Sequence, residues 1–297
     1  MTRDAFNIDT DLVRRLITSQ FPRWSDLLIT EVLPNGWDNR TFRLGDRMSV
    51  RLPSADRYVA QVEKEHRWLP VLAEKLPLRI PTPLEIGIPD EGYPWKWSVY
   101  GWIDGETANT ERIDNMPRFA RALSEILAAL QSADTSGAPG AGTHSGHRGG
   151  DLSIYDDQTR QAIEIMDVES DLDKSLLTEI WDVALDSKWD KPPVWIHGDI
   201  SSGNLLVRDG ILSAVIDFGG IAVGDPACDL AIAWTMFEDK SRDTFRNRLG
   251  LDDATWARAR GWTLWKALII LSGISETNAA EGEHSRRTVD RVLADHV

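Results

Sequence analysis

Residues 194–219 carry side chains whose types and spacing could do chemistry together. They read Val-Trp-Ile-His-Gly-Asp, Ile-Ser-Ser-Gly-Asn-Leu-Leu-Val, Arg-Asp-Gly and Ile-Leu-Ser-Ala-Val-Ile-Asp-Phe-Gly. Two apolar runs flank Asp209-Gly210, a pair that favours a tight hairpin turn. If the chain reverses there, the arms pair antiparallel, and Asn204 and Asp217 fall within about two rungs of each other. Diagonal neighbours across a strand pair lie roughly 7–8 Å apart, so the amide and the carboxylate could reach one hard cation, which prefers such oxygen ligands. Asp199 precedes Asn204 by one turn of loop. A carboxylate beside a metal-phosphate site can orient a hydroxyl and accept its proton. Moving a phosphoryl group is mostly positioning and charge neutralisation, so this short set of groups comes near to sufficing.

The surrounding elements must hold these groups in place. Leu12, Leu16 and Ile17 give residues 9–20 a helical stripe. Strands are expected at Ile29–Val32, Asn39–Leu44 and Met48–Leu52, with a turn at Pro34-Asn35-Gly36 and another at Gly45-Asp46. A helix is expected over about 57–74, with Pro70 ending or kinking it, and a strand at Trp97–Tyr100. From about 117 the pattern becomes helical, with Pro117 at a helix start and Phe119, Ala122, Leu123, Ile126 and Leu130 on one face. Strands first and helices after imply an α+β protein of two lobes, divided near 102–106. Residues 133–150 are rich in Gly, Ser and Thr and read as a loop.

Composition narrows the function classes. The 297 residues hold 33 Lys and Arg against 47 Asp and Glu, a net charge of −14. Such a surface does not suit nucleic acid, whose binders need cations against phosphates. Cys228 is the single cysteine, so an intrachain disulfide is excluded and a reducing compartment is compatible. The most apolar stretch, 262–274, is short and interrupted by Lys266, and no apolar signal region opens the chain. The expectation is a cytoplasmic protein with no membrane partner.

The order His-Gly-Asp, four residues, Asn, then Asp-Phe-Gly resembles the antibiotic-kinase branch of the protein-kinase-like superfamily, the aminoglycoside and macrolide phosphotransferase-like family. Gly224-Asp225-Pro226 with Asp229-Leu230 is similar to that branch as well, with Asp225 as a helix cap, Pro226 as first helical residue, and Leu230, Ala233, Trp234 and Phe237 on the helix's apolar face. The resemblance implies a bilobal fold, with a β-rich nucleotide-binding lobe over 1–102 and a mainly helical catalytic lobe over 103–297. It implies Asp199 as catalytic base, Asn204 and Asp217 as Mg²⁺ ligands, and His197 and Asp229 as braces of the loop. On the nucleotide side it implies a phosphate-covering loop with Asn35, Gly36 and Asn39, and a basic residue on the third strand. There Arg51 stands where lysine is usual, and Arg still clamps phosphate oxygens. A helix carboxylate should pair with it. Glu65 shares the stripe of Val62 and Leu69, and a carboxylate on an apolar stripe needs a partner. Tyr100 and Trp102 lie in the segment expected to join the lobes and hold the base of ATP or GTP.

The short span from Asp217 to Asp225 leaves no room for a protein-kinase activation segment, so a small hydroxyl acceptor fits better. An aminoglycoside would be cationic, and Asp156, Asp157, the 167–173 acidic run and Glu276 are candidates to meet it. Trp234, Trp262 and Trp265 are spaced as helix core positions, though apolar walls would suit a macrolide. Choline, a sugar or an amino-acid alcohol are further acceptors for the same fold, and a nucleotide-binding module without catalysis is the non-enzymatic alternative. The segment Arg148-Gly149-Gly150-Asp151-Leu152 could order over a bound acceptor.

Overall fold

The structure, a computed structural model, describes residues 7–33, 36, 38–275 and 278–296. Helix α1 (Thr10–Gln20) is capped by the Asp9 carboxylate, which accepts from Leu12 N at 2.9 Å, and it buries Leu12, Val13, Leu16 and Ile17. That face lies on an antiparallel sheet built from β1 (Ile29–Glu31), β2 (Asn39–Leu44), β3 (Met48–Pro53), β4 (Pro83–Gly87) and β5 (Trp97–Gly101), in the order β1-β2-β3-β5-β4. Phe42, Leu44, Val50, Leu52, Trp97 and Val99 close this first core with α1. Sequence patterning missed β4, whose Pro-Leu-Glu-Ile-Gly has no β-branched alternation. Its Gly87 lets the Trp97 indole lie directly on the backbone, since a Cβ there would sit 1.9 Å from the ring. The turn expected at Pro34-Asn35-Gly36 lies largely outside the described residues.

Helix α2 (Val59–Ala73) follows β3. Pro70 does not end it, and the last turn runs on to Ala73. Pro70 is exposed, so water can satisfy the carbonyl it fails to bond, while buried Trp68, Leu69 and Leu72 hold the inner face. These three pack into the second, larger core, where Trp68 meets Trp195 edge-on at 5.0 Å.

The larger part comprises β6 (Glu106–Thr107), α3 (Met116–Gln131), α4 (Asp156–Glu169), α5 (Lys174–Asp186), β7 (Val194–Ile196), β8 (Leu205–Arg208), β9 (Ile211–Val215), β10 (Ala222–Gly224), α6 (Ile232–Thr235), α7 (Asp239–Leu249), α8 (Asp253–Leu271) and α9 (Ala279–His296). The chain is thus mixed α and β, strand-rich first and helical after. β8 and β9 form the hairpin that Asp209-Gly210 promised, both turn residues having positive φ, 52° and 75°. Its register sets Leu205 against Val215, and Ile216 N then donates to Asn204 O at 2.9 Å. β7 pairs with β10. Pro226–Leu230 forms a tight 3₁₀ turn leading into α6, with Asp225 as its cap.

Residues 133–150 are irregular apart from one turn at Thr143–Ser145. They are tied down along β10, where Ala141 N donates to Val223 O at 3.0 Å, Val223 N to Pro139 O at 2.8 Å, and Asp225 N to Gly149 O at 2.8 Å. Among the described residues no helix is long and apolar enough to cross a membrane.

Candidate active site

β7 runs straight into His197-Gly198-Asp199. Asp229, 1% exposed, accepts from His197 N and Gly198 N at 2.7 Å each. Burial raises the Asp229 pKa, while the two amides and His197 favour its charged form. Gly198 has φ +87°, and a Cβ there would strike the Gly220 carbonyl at 2.7 Å, so only glycine lets these two strands of backbone approach so closely. His197 is fully buried. Its Nε2 donates to Ile216 O at 3.0 Å, and its Nδ1 accepts from Asp199 N at 3.2 Å. The two contacts place the proton on Nε2, and Phe218 packs edge-on at 4.5 Å.

Asn204 donates from Nδ2 to Asp199 O at 2.8 Å and to Asp199 Oδ2 at 2.9 Å, leaving its Oδ1 available as an oxygen ligand. Asp217 leaves β9 in the left-handed region (φ 63°, ψ 64°), and its Oδ1 accepts from Arg51 Nη2 at 2.7 Å. Asp199 Oδ1 faces Lys266 Nζ at 3.2 Å. Burial pushes the Asp199 carboxyl up, but Lys266, Arg148 and His197 outweigh it and hold the group at about 2.

Across the cleft, Arg51 Nη1 lies 3.5 Å from Glu65 Oε2, and the Tyr100 hydroxyl donates to the same oxygen at 2.6 Å. Glu65 is 1% exposed. Burial raises its pKa against the pull of Arg51 and Tyr100. Burial also disfavours the Arg51 charge, but Asp217 and Glu65 overcome this and hold the guanidinium firmly protonated. Arg51 therefore bridges the helix carboxylate and Asp217. Asn39 is buried beside this group and donates to Gln61 Oε1 at 3.4 Å, and Gln61 Nε2 donates to Asp38 Oδ2 at 2.9 Å. Gly36 is exposed and its carbonyl accepts from Arg40 at 2.9 Å, while Asn35 lies outside the described residues.

Trp102 is not brought into this group. Its indole donates to Asp104 at 3.0 Å under the Arg43 guanidinium, and its backbone N–H is taken by Arg47 O at 2.7 Å. Gly101 N is likewise taken, by Thr82 O at 2.9 Å. Tyr100 contributes its hydroxyl rather than its backbone, which pairs with β3 and β4.

Residue patterns missed two lysines. Lys64, next to Glu65, donates to Gly219 O at 2.8 Å, to His144 O at 3.2 Å and to His144 Nδ1 at 3.0 Å, satisfying its three N–H groups. His144 Nε2 in turn bonds Gly140 O at 2.8 Å. Burial pulls the Lys64 ammonium down to about 8, against Glu65 and Asp38. Lys266 carries a visible signal, a lone charge in the apolar stretch 262–274, but its partner Asp199 lies 67 positions away.

The acidic residues expected to meet a cationic acceptor are mostly engaged elsewhere. Asp156 pairs with Arg160 at 2.8 Å, Asp167 with Lys174 at 3.4 Å and Asp171 with Arg286 at 2.7 Å, while Asp173 caps α5. Asp157 is exposed, and Glu276 lies outside the described residues.

Mg²⁺ prefers few protein oxygens and completes its shell from phosphates and water. The donor set fits: Asn204 Oδ1 and the Asp217 carboxylate are hard oxygens at adjacent register positions. Among the described residues no group of three His, Cys, Asp or Glu side chains forms a self-sufficient metal cage.

A family model described as "Phosphotransferase enzyme family" matches residues 29–262. The fold is similar to the GDP complex of wild-type aminoglycoside 2'-phosphotransferase-IIIa, at 19% identity over 98% of this chain and 100% of that one, with a TM-score of 0.71. It is similar to the GDP and kanamycin complex of APH(2")-IIia, at 19% identity over 96% and 98%, with a TM-score of 0.70. The apoenzyme of macrolide 2'-phosphotransferase MphH from Brachybacterium faecium gives 20% identity over 96% and 98%, with a TM-score of 0.59. At these identities the likeness is one of fold. No curated protein sequence matches the chain.

Proposed function

The chain belongs to the phosphotransferase enzyme family, and we propose that it moves the γ-phosphoryl group of a Mg-nucleoside triphosphate onto a hydroxyl of a small molecule. One observation carries this reading. Asp199, Asn204 and Asp217 are gathered by one braced loop and one hairpin, with Arg51 reaching Asp217 from the facing sheet.

Asp199 orients the acceptor hydroxyl and takes its proton at a carboxylate oxygen. Asn204, through its Nδ2 bonds, fixes the rotamer of Asp199 and presents Oδ1 outward. Asn204 and Asp217 would hold Mg²⁺, which when bound supplies charge neutralisation to the phosphate oxygens. Arg51 holds the Asp217 carboxylate and offers its remaining donors to phosphate. His197 and Asp229 keep the loop backbone in place. The neighbours named with GDP support a purine nucleotide, ATP or GTP, as donor. A nucleotide donor and a lone cysteine fit a cytoplasmic site of action. Aminoglycosides and macrolides enter as acceptor candidates through the names of the neighbours.

The test is Mg-ATP and Mg-GTP consumption across a panel of hydroxyl compounds, by the wild type and by Asp199→Asn. Acceptor-dependent turnover lost in the variant, with nucleotide binding kept, is expected. A wild type that binds neither Mg-nucleotide, or a variant as active as the parent, would count against the reading.

A further inference from the structure

The acceptor side of Asp199 is made of cations and aromatic rings. Lys266 sits on Asp199 Oδ1 at 3.2 Å. The residue before it, Trp265, stacks on Tyr155 with ring centres 3.9 Å apart, and Trp262 meets both rings edge-on at 5.4 and 5.6 Å. Gln158 fixes the Trp265 indole through a 2.8 Å bond. The Tyr155 hydroxyl bonds the Gly146 carbonyl and so ties these rings to the segment that carries Arg148. That segment is pinned to the catalytic strand, because Gly149 lies against Ile196, two positions before Asp199's own glycine. The Arg148 guanidinium curls back over Gly146 and makes no ion pair or side-chain hydrogen bond among the described residues. It is near enough to Asp199 to help depress that carboxyl. The carboxylates of the adjoining segment are mostly neutralised: Asp151 by Lys188 at 3.2 Å and Asp156 by Arg160 at 2.8 Å, leaving Asp157 exposed.

A polycation would bring its ammonium groups up to two cations already at the reacting carboxylate, and like charges at a partly desolvated site repel. Building on the kinase reading above, we propose that the acceptor carries a carboxylate or phosphate beside its reacting hydroxyl. Lys266 and Arg148 recognise that anion, and the half-buried Tyr155 ring, backed by buried Trp262 and Trp265, is the apolar surface beside them. Asp199 takes the hydroxyl proton. The acceptor oxygen bonds the γ-phosphorus as the bond to the bridging oxygen breaks. The nucleoside diphosphate leaves with that electron pair, and the proton passes from Asp199 to solvent.

The test uses the full chain saturated with Mg-ADP. Calorimetry measures binding of glucose 6-phosphate, gluconate, glucose and kanamycin to the wild type, to Lys266→Gln and to Lys266→Glu/Arg148→Glu. Lys266 is 51% exposed, so the single variant spares the fold. The wild type should bind the anionic probes at least about tenfold tighter than glucose and disfavour kanamycin. Lys266→Gln should erase most of that preference, and the double variant should reverse it toward kanamycin. A wild type that prefers kanamycin, an order of affinities the variants leave unchanged, or equal indifference to all four probes would overturn the proposal. Failure of the kinase reading is separate, since it would appear as loss of Mg-ADP binding by the wild type itself.

Discussion

Two cations face the reacting groups from opposite sides of the cleft, and they are built differently. Arg51, 15% exposed, is fixed by Glu65, Asp217 and the Tyr100 ring before any ligand arrives. Lys266, 51% exposed, has one partner among the described residues, Asp199, at 3.2 Å. On the proposed reading, the donor side is thus assembled before a nucleotide brings its phosphates. The acceptor side keeps a cation that can change partners. An ion pair broken in a buried network costs roughly 3–5 kcal/mol, whereas an exposed pair contributes about 0–1 kcal/mol.

Five measurements would break or sharpen this contrast. Asp199→Ala sits at the meeting point and should cost the most, roughly 10²–10⁴-fold in kcat with Mg-nucleotide affinity preserved, read by steady-state kinetics and nucleotide titration. On the donor side, Glu65→Ala leaves Arg51 with Asp217 alone and the buried Tyr100 hydroxyl without its acceptor, and should cost roughly 2–4 kcal/mol in denaturant unfolding. Lys266→Ala should cost at most about 1 kcal/mol in the same assay, and equal losses would erase the distinction. Asp229→Ala leaves the buried His197 and Gly198 N–H groups unpaired and should cost about 2–4 kcal/mol, with turnover falling further than folding alone explains. The smallest effect is a pH dependence at Lys64. Below about 8 this lysine is charged in both states and its burial penalty is fully present. Between there and the ordinary lysine value of about 10.4, only the unfolded chain holds the proton, so stability should rise with pH. Lys64→Met should lack that rise when both proteins are unfolded in denaturant across the window.

Local chemistry made the hairpin legible. Asp209-Gly210 dictates the turn and the first pairings, and a one-residue bulge at Leu206/Val207 then sets Asn204 beside Ile216 and so next to Asp217. Glu65 was legible because an acid on an apolar stripe demands a partner. Lys64 and Gln61 were not, because their partners come from distant parts of the chain: Lys64 meets Gly219 across 155 positions and His144 across 80. Such pairings follow from packing α2 against the loop, which no short window displays. Trp102 is named from its place between the lobes, and its indole lies under Arg43 and bonds Asp104, partners that no short window displays. The helix continues past Pro70 because buried Trp68, Leu69 and Leu72 hold that turn down, which propensity alone does not show.

The rooting of α2 has a mechanical consequence. Trp68, Leu69 and Leu72 anchor that helix in the larger core, and Lys64 latches it to Gly219. Both partners of Glu65, by contrast, ride on the sheet, Arg51 on β3 and Tyr100 on β5. A swing of the sheet over the larger body would leave the helix behind, and the 3.5 Å separation of Arg51 from the Glu65 carboxylate would be the first distance to change.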